Sequence, residues 1–322
     1  MRRPPRETPP RPARETVHVG RDGWLFLVGG TNAVLRQYRP SIAGWWRLRR
    51  WARLIAARAR RAERLGIRCL HVVVPEKLSI YEDRTDGLAY DPANGPARRL
   101  AHRLAGHSGF VDLVAPLRAV RDGPVPLYRR TDSHWTTDGC MIGYRALLRA
   151  CGAVAPADIA DRARFETDGV WDLGAKLPER PREAITSWLL ARDAVRVGAS
   201  DLVESYEAEG RSSDLHVGAH VIYRNDRPHA DPRTLVLFGD SYAHFAPIML
   251  TGLLAETFRE VHFVWSSSLD WGYVERIRPD ILVFEMAERF LKRVPDDRFD
   301  LSRYARADLP AAAQRATAGP VV

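Results

Sequence analysis

The chain has 322 residues, of which 45% are hydrophobic, and 49 lysines and arginines against 40 aspartates and glutamates give it a formal net charge of +9. This length and apolar content suffice for one large or two small domains, which excludes a chain that is disordered throughout. Three cysteines (Cys69, Cys140 and Cys151) without CxxC spacing exclude a disulfide scaffold and a zinc ribbon. Because no stretch approaches 18 apolar residues and no apolar segment follows the first arginines, we expect neither a transmembrane helix nor a signal peptide.

The chain begins with a proline-rich segment, residues 1–16, which carries a net charge of +3 and almost no apolar side chains. Such a composition cannot offset the entropy of ordering, so the segment is predicted to be a disordered basic tail. A β-hairpin is predicted around Asp22 and Gly23, a turn dipeptide flanked by two short strand-like runs.

A long helix is predicted over residues 41–65, ended by Gly66. Its predicted apolar stripe consists of Trp45, Leu48, Ala52, Ile55, Ala59 and Ala62. Residues 47–64 also carry a net charge of +7, so that outside this helix and the tail the chain carries −1. Since the body of the protein is not basic and no recognition motif is present, we expect no nucleic-acid partner. The basic helix is interpreted either as a solvated face or as a peripheral contact with anionic lipid.

The rest of the chain alternates strands and helices. Buried strands are predicted at 69–74, 234–238, 261–265 and 280–284, and a short strand at 109–113. Helices are predicted at 98–104, 137–148 (capped by Thr137 or Asp138), 182–192, 245–254 and 273–278. This order predicts an α/β domain over residues 17–303 with a central, mostly parallel sheet, followed by a flexible tail at 304–322.

Ser241 lies on the turn that follows the strand predicted at 234–238. In a parallel sheet this position faces the binding crevice, and the Ser241 N–H at the start of the next helix could donate to an oxyanion. The alternative is that Asp240 and Ser241 only cap that helix.

A serine nucleophile needs a base and an orienting group, and Asp132 and His134 are candidates because side chains two residues apart in an extended segment share one face. The alternatives are a turn cap at Asp132 with His134 packed on Trp135, or a metal site that adds Asp138. His244 is a second candidate base, but one helical turn beyond Ser241 it would point away.

Four separated motifs resemble the alginate O-acetyltransferase group of SGNH-hydrolase-like proteins. They are GRDGWLF at 20–26, VPEK at 74–77 with IY at 80–81, TDSHW at 131–135 and GDSY at 239–242, with weaker matches in WDLG at 171–174 and ER at 288–289. Their order and spacing agree with the family over roughly residues 17 to 295.

The resemblance implies an SGNH-hydrolase-like (flavodoxin-like) three-layer fold and a triad of Ser241, His134 and Asp132. It implies an acetyl-serine intermediate that passes its acetyl group to a carbohydrate hydroxyl of a polysaccharide or glycoside, with acetylesterase activity when water enters. We expect no cofactor and no metal, and the resemblance implies an acetyl donor system that includes a membrane-bound O-acyltransferase. The family is exported to the periplasm, whereas the absence of a signal in this chain predicts a cytoplasmic location. The alternative function is a catalytically silent carbohydrate-binding or assembly protein of the same fold.

Three further residues are candidates for oxyanion or substrate binding. Lys77 could reach an anionic or carbonyl group or be a solvated loop lysine, and Tyr242 could donate to the oxyanion or pack against the helix. Arg289, with Glu288, could order the site or serve as first-turn helix charges. Cys140 is interpreted as a small buried thiol.

Overall fold

A computed structural model of the chain describes residues 16–304. Except for Thr16 and Tyr304, the predicted tails at 1–16 and 304–322 lie outside the described residues. The strands are Val17–Val19 (β1), Leu25–Leu27 (β2), Arg68–Val74 (β3), Phe110–Val111 (β4), Arg164–Val170 (β5), Arg182–Trp188 (β6), Val195–Ala199 (β7), His220–Arg224 (β8), Asp231–Gly239 (β9), Phe258–Trp265 (β10) and Ile281–Ala287 (β11). The described helices are Val34–Gln37 (α1), Ile42–Arg64 (α2), Lys77–Ile80 (α3), Pro96–Arg103 (α4), Val114–Val120 (α5), Thr137–Cys151 (α6), Asp201–Ala208 (α7), Met249–Thr257 (α8) and Trp271–Ile277 (α9). None of these helices has the length and apolar character needed to cross a bilayer.

A seven-stranded sheet with the order β4-β3-β11-β9-β10-β8-β7 forms the centre of the fold. The first five strands in this order are parallel, and β8 pairs antiparallel with both β10 and β7. The predicted mostly parallel sheet is therefore confirmed. Helices connect the parallel strands because a parallel pair cannot be joined by a tight hairpin.

Both faces of the sheet are covered, as alternate residues of β9 demonstrate. Leu235 and Leu237 lie in one core with side chains of α6 and α8, whereas Val236 and Phe238 lie in a second core with side chains of α2 and α4. A strand that is buried on both faces needs apolar residues at every position, which is the reason that it could be recognised in the sequence. The result is a three-layer α/β/α domain.

The predicted hairpin is confirmed, with β1 and β2 antiparallel and Asp22 and Gly23 at positive φ values of 55° and 78° in the turn. The Leu25 N–H donates to the carbonyl of Arg130 at 2.9 Å. The hairpin therefore lies against the loop that carries Asp132 and His134.

The long helix α2 is confirmed, but half of its predicted buried stripe is wrong by one residue. Leu48, Ile55 and Ala62 are buried as expected, whereas the remaining buried positions are Gly44, Trp51 and Arg58 instead of Trp45, Ala52 and Ala59. Trp51 donates from its indole to the Leu291 carbonyl at 3.0 Å. The charge of Arg58 is neutralised by Asp297, to which its Nε donates at 2.9 Å, and its guanidinium lies 4.1 Å from the ring centroid of Phe284. These partners, distant in the chain, allow Arg58 to be buried where the apolar stripe predicted Ala59.

Three other predictions require correction. The segment predicted as a helix at 182–192 is strand β6, antiparallel to β5, because its side chains alternate between solvent and the interior. The helix predicted at 245–254 begins later, at Met249. The cap of α6 is Thr136, whose hydroxyl accepts from the Gly139 N–H at 3.1 Å, rather than Thr137 or Asp138.

Candidate active site

Ser241 lies in the turn after β9, at the carboxyl edge of the sheet, as predicted. A Cβ atom at Gly239 would lie 3.0 Å from the Glu285 carboxyl group, so glycine lets the strand end approach β11 closely. Burial raises the pKa of both Asp240 and Glu285, and the Asp240 charge adds to the shift of Glu285 to well above its usual range. The Asp240 carboxylate accepts from the Ala287 N–H at 2.7 Å, and the Asp240 N–H donates to Glu285 at 3.1 Å. These contacts hold the turn that presents Ser241.

Asp132, His134 and Ser241 form one continuous hydrogen-bonded series. His134 Nε2 lies 2.8 Å from Ser241 Oγ, and His134 Nδ1 lies 2.7 Å from Asp132 Oδ1. Because an ionised carboxylate only accepts, Asp132 places the imidazole proton on Nδ1 and leaves Nε2 free to accept from the serine hydroxyl. The serine comes from a turn 107 residues away in the chain, so only the tertiary fold brings the three together.

Contacts between Asp132 and His134 favour the charged form of each, and they outweigh burial, which disfavours it. Burial alone would raise the pKa of Asp132, but the His134 charge and hydrogen bond, together with Arg129 at 2.8 Å, hold it well below its usual range. Burial opposes protonation of His134, and Asp132 overcomes it and raises the His134 pKa. The carboxylate thus stays ionised and favours the imidazolium that forms when His134 takes a proton.

Asp172 is a site residue that sequence reasoning did not single out, although it lies in the WDLG segment. It accepts from the Ser133 N–H at 2.7 Å and from the Ser133 hydroxyl at 2.6 Å. Potential ligand atoms of Asp132, His134 and Asp172 lie within 4.8 Å of one another, so the metal alternative would use Asp172 in place of Asp138. The imidazole nitrogens of His134 are already paired with Asp132 and Ser241, which fits proton transfer better than metal ligation.

Arg289 and Tyr242 are brought to the site as supports of its backbone. Arg289 Nε donates to Glu76 at 2.7 Å, and another of its nitrogens lies 2.9 Å from the Tyr242 hydroxyl. That hydroxyl donates to the Ser133 carbonyl at 2.6 Å. Arg289, Glu76 and Tyr242 are all buried. Because the loop carbonyl takes the Tyr242 hydroxyl proton, this residue packs against the loop and does not donate to an oxyanion.

Lys77 is buried and is not a solvated loop lysine. It holds the loop of residues 128–135, which we call the DSHW loop. Its Nζ donates to the carbonyls of Arg129 and Arg130, each at 3.0 Å, and burial lowers its pKa to about 8. On the same loop, Glu183 accepts from the N–H groups of Arg130 and Thr131 at 2.8 and 2.7 Å and from the Thr131 hydroxyl at 2.8 Å. Sequence reasoning missed Glu183 because it had placed 182–192 in a helix; the alternation of β6 was the signal that marks it as inward-facing.

Glu288, in the ER segment, connects the family motifs below the site. Its buried carboxyl group, whose pKa burial raises to about 7, accepts at 2.8 to 3.2 Å from four donors. They are Glu76 N, Ala97 N, Ser79 Oγ and the Tyr38 hydroxyl. Glu288 and Arg289 are therefore internal supports and not exposed first-turn helix charges.

Two predictions about the surroundings of Ser241 have a definite outcome. His244 accepts from the Ala246 N–H at 3.0 Å, and burial lowers its pKa to about 4, so the imidazole in contact with Ser241 is that of His134. The expected helix start at Ser241 is wrong, because α8 begins eight residues later. Within residues 16–304 no acceptor occupies the Ser241 N–H, so this donor is free, but it does not stand at the start of a helix.

The buried thiol expected at Cys140 is confirmed in α6.

A groove of about 440 Å³ runs beside the DSHW loop and combines aromatic with charged side chains. Its lining includes Trp24, Arg84, Arg121, Arg129, Arg130 and Glu183.

Comparison with known proteins agrees with this architecture. The sequence model of the SGNH hydrolase-like domain of acetyltransferase AlgX matches residues 17–179, which are 163 of the 322 residues and include Asp132 and His134 but not Ser241. A probable alginate O-acetylase AlgJ of Pseudomonas fluorescens is 23% identical over 157 residues, 48% of this chain and 38% of that relative. The match thus spans well under two thirds of the relative's length.

Solved structures share the fold. The O-acetyltransferase domain of Pseudomonas putida AlgJ superposes with a TM-score of 0.57 at 16% identity, covering 90% of this chain and 97% of that one. Bacillus cereus PatB1 gives a TM-score of 0.59 at 14% identity, covering 85% and 96%. The predicted SGNH-hydrolase-like fold is confirmed, and the chain belongs to the family of SGNH hydrolase-like acetyltransferase domains represented by AlgX.

Proposed function

We propose that this protein is a serine-dependent O-acetyltransferase that carries an acetyl group on Ser241 to a carbohydrate hydroxyl. The observation that carries the proposal is the unbroken series of contacts from Ser241 through His134 to Asp132. Membership of an acetyltransferase family supports the same chemistry.

In the proposed reaction His134 Nε2 takes the proton of Ser241 as Oγ attacks the acetyl carbonyl of the donor. The new C–O bond converts that carbonyl to an oxyanion, for which the Ser241 N–H is the donor in place. Collapse breaks the bond to the leaving group, which receives the proton from His134. The acceptor hydroxyl then attacks acetyl-Ser241 in the reverse sequence and regenerates the serine. Water in place of the acceptor gives an acetylesterase side reaction.

We propose that the groove beside the DSHW loop, which Arg129 and Arg130 line but Ser241 and His134 do not, holds the part of the acceptor that lies away from the reacting hydroxyl. Its lining offers Arg84, Arg121, Arg129 and Arg130 as hydrogen-bond donors for sugar oxygens, and each of them also lies within 4.0 Å of a carboxylate of the chain. The name of the relative AlgJ makes alginate the first acceptor to test. A membrane-bound O-acyltransferase is the proposed source of acetyl groups, and no step in the reaction needs a cofactor or metal.

Intact mass spectrometry after incubation with p-nitrophenyl acetate tests the proposal. The wild-type protein should gain the mass of one acetyl group, mapped to Ser241. Ser241→Ala should gain none, and the exposed control Ser213→Ala should label like the wild type. An adduct that persists in Ser241→Ala would remove the proposed nucleophile. A wild type that never labels, with any acetyl donor, would favour the silent carbohydrate-binding alternative.

A further inference from the structure

The amino end of α2 exposes three large apolar side chains close together. Ile42, Trp45 and Trp46 are 80%, 37% and 50% exposed, and the two indole rings meet edge to face with centroids 4.8 Å apart. Single exposed apolar residues are ordinary, but three within one and a half turns of a helix form a patch. The buried residues of this helix, such as Leu48, Trp51 and Ile55, face the core, so the exposed patch is separate from the buried face.

Arginines surround these rings. The Arg49 guanidinium lies 5.2 Å from the Trp45 ring centroid and 5.4 Å from that of Trp46, and Arg103 of α4 lies 5.3 Å from Trp45. Arg47 and Arg99 add two further charges at the α2–α4 contact. We call Ile42, Trp45, Trp46 and these four arginines the Trp–Arg surface.

The four arginines of this surface have no counter-charge among the residues that the structure describes. Within residues 16–304 no carboxylate lies within 4.0 Å of any of them, whereas Arg58 and Arg61, farther along the same helix, pair with Asp297 and Glu275. Burial and then the neighbouring like charges lower the pKa of Arg47 and of Arg99. The buried Arg47 Nε also finds no acceptor among the described residues. A concentration of unpaired positive charge of this kind attracts anions.

The Trp–Arg surface lies toward the end of the sheet that carries Ser241. Gln37 and Trp51, which flank it in the chain, donate to the carbonyls of Arg289 and Leu291 at 2.8 and 3.0 Å. Those carbonyls directly follow β11, and β11 is hydrogen-bonded to β9, the strand that leads to Ser241. A partner bound at this surface would therefore lie near the carboxyl edge of the sheet.

We propose that the Trp–Arg surface docks on an anionic lipid bilayer. Tryptophan rings favour the headgroup level of a bilayer, arginines bind lipid phosphates, and Ile42 can enter the apolar boundary below them. A nucleic acid or an acidic polysaccharide could use the arginines and the rings, but an isoleucine at the most exposed position matches only the lipid. This inference does not depend on the acyl-transfer proposal.

Co-sedimentation with phosphatidylcholine vesicles, with and without phosphatidylglycerol, tests the proposal at low and at physiological salt. The wild type should bind only vesicles that contain phosphatidylglycerol, and more weakly as salt screens the arginines. An arginine near an anionic surface contributes about fivefold to binding, so the variant with both Arg49→Gln and Arg103→Gln should bind roughly 25-fold more weakly. Trp45→Ser with Trp46→Ser should also lose binding.

The matched control is Arg60→Gln with Arg64→Gln, which removes the same charge from exposed positions at the other end of α2. It should bind more tightly than the Arg49/Arg103 variant, and circular dichroism should show the wild-type fold in every variant. Equal recovery with both vesicle types, or an equal loss in the control, would overturn the proposal. Binding to duplex DNA or alginate oligomers without binding to vesicles would also overturn it and assign the surface to a soluble polyanion.

Discussion

Glu183 offers the sharpest test of how the DSHW loop is held. In Glu183→Gln one carboxylate oxygen becomes an NH2 group, which can no longer accept from the N–H of Arg130 or Thr131. The change removes one hydrogen bond to a charged acceptor, worth about 1.5–3 kcal/mol, and leaves a backbone donor without its partner. Since the two effects overlap, we expect the free energy of unfolding to fall by about 2–5 kcal/mol.

The same substitution should reduce activity through the position of His134. Thr131, whose N–H and hydroxyl Glu183 holds, directly precedes Asp132, and a displacement of about 1 Å in a catalytic group can lower the rate about 100-fold. We therefore expect kcat for p-nitrophenyl acetate to fall by about that factor, with a smaller change in KM. A loosened contact between Asp132 and His134 should also move the acidic limb of the pH–rate profile to lower pH.

Urea denaturation and steady-state kinetics over pH measure these effects. The matched control is Glu166→Gln, an exposed carboxylate on the paired strand β5, which should change neither quantity. If the free energy of unfolding of Glu183→Gln lies within about 0.5 kcal/mol of the wild-type value, the limit for ordinary surface substitutions, Glu183 does not anchor the loop. A stability loss with an unchanged pH profile would show that Glu183 supports the fold without positioning the site.

Three further outcomes are expected. Asp132→Asn should lower kcat by about 10⁴-fold at neutral pH because the amide favours the wrong His134 tautomer, and an effect below tenfold in ester kinetics would contradict this role. Because Asp132 raises the His134 pKa, and neutral His134 is the active base, kcat/KM should be full above that pKa and fall tenfold per pH unit below it, with the midpoint above the usual histidine value of 6.5; a flat profile would exclude His134 as the base. Arg58→Met should lower the free energy of unfolding by about 3–5 kcal/mol because Asp297 loses its buried partner, whereas the exposed Arg60→Met should be neutral in urea denaturation; equal effects would refute the buried pairing.

Much of the fold follows from local patterns in the chain. Strands such as β3 and β9 are recognisable because burial on both faces requires an unbroken apolar run, and the length of α2 follows from its period and from Gly66. The residues of the hydrogen-bonded series, Ser241, His134 and Asp132, were also identified from motifs. Their types and order reflect chemistry that is written in short segments.

The supports of that series depended on tertiary structure. Lys77, Tyr242 and Arg289 were candidates for ligand binding, but their polar atoms bind loop carbonyls and a carboxylate that lie from 52 to 213 residues away in the chain. Glu183 was concealed by a wrong helix, since a short mixed-polarity segment becomes a strand only when β5 pairs with it.

The helix α2 shows the same division within one element. Its apolar period determined that a helix forms and that one face is buried. It did not determine whether that face would carry Trp45 and Ala52 or the residues one position earlier, Gly44 and Trp51. The choice depended on Asp297, 239 residues away, which offsets the buried charge of Arg58 and thereby turns Trp45 and Trp46 outward. Periodicity is a property of neighbouring residues, whereas the free energy of burying a charge is set by whatever the fold places beside it.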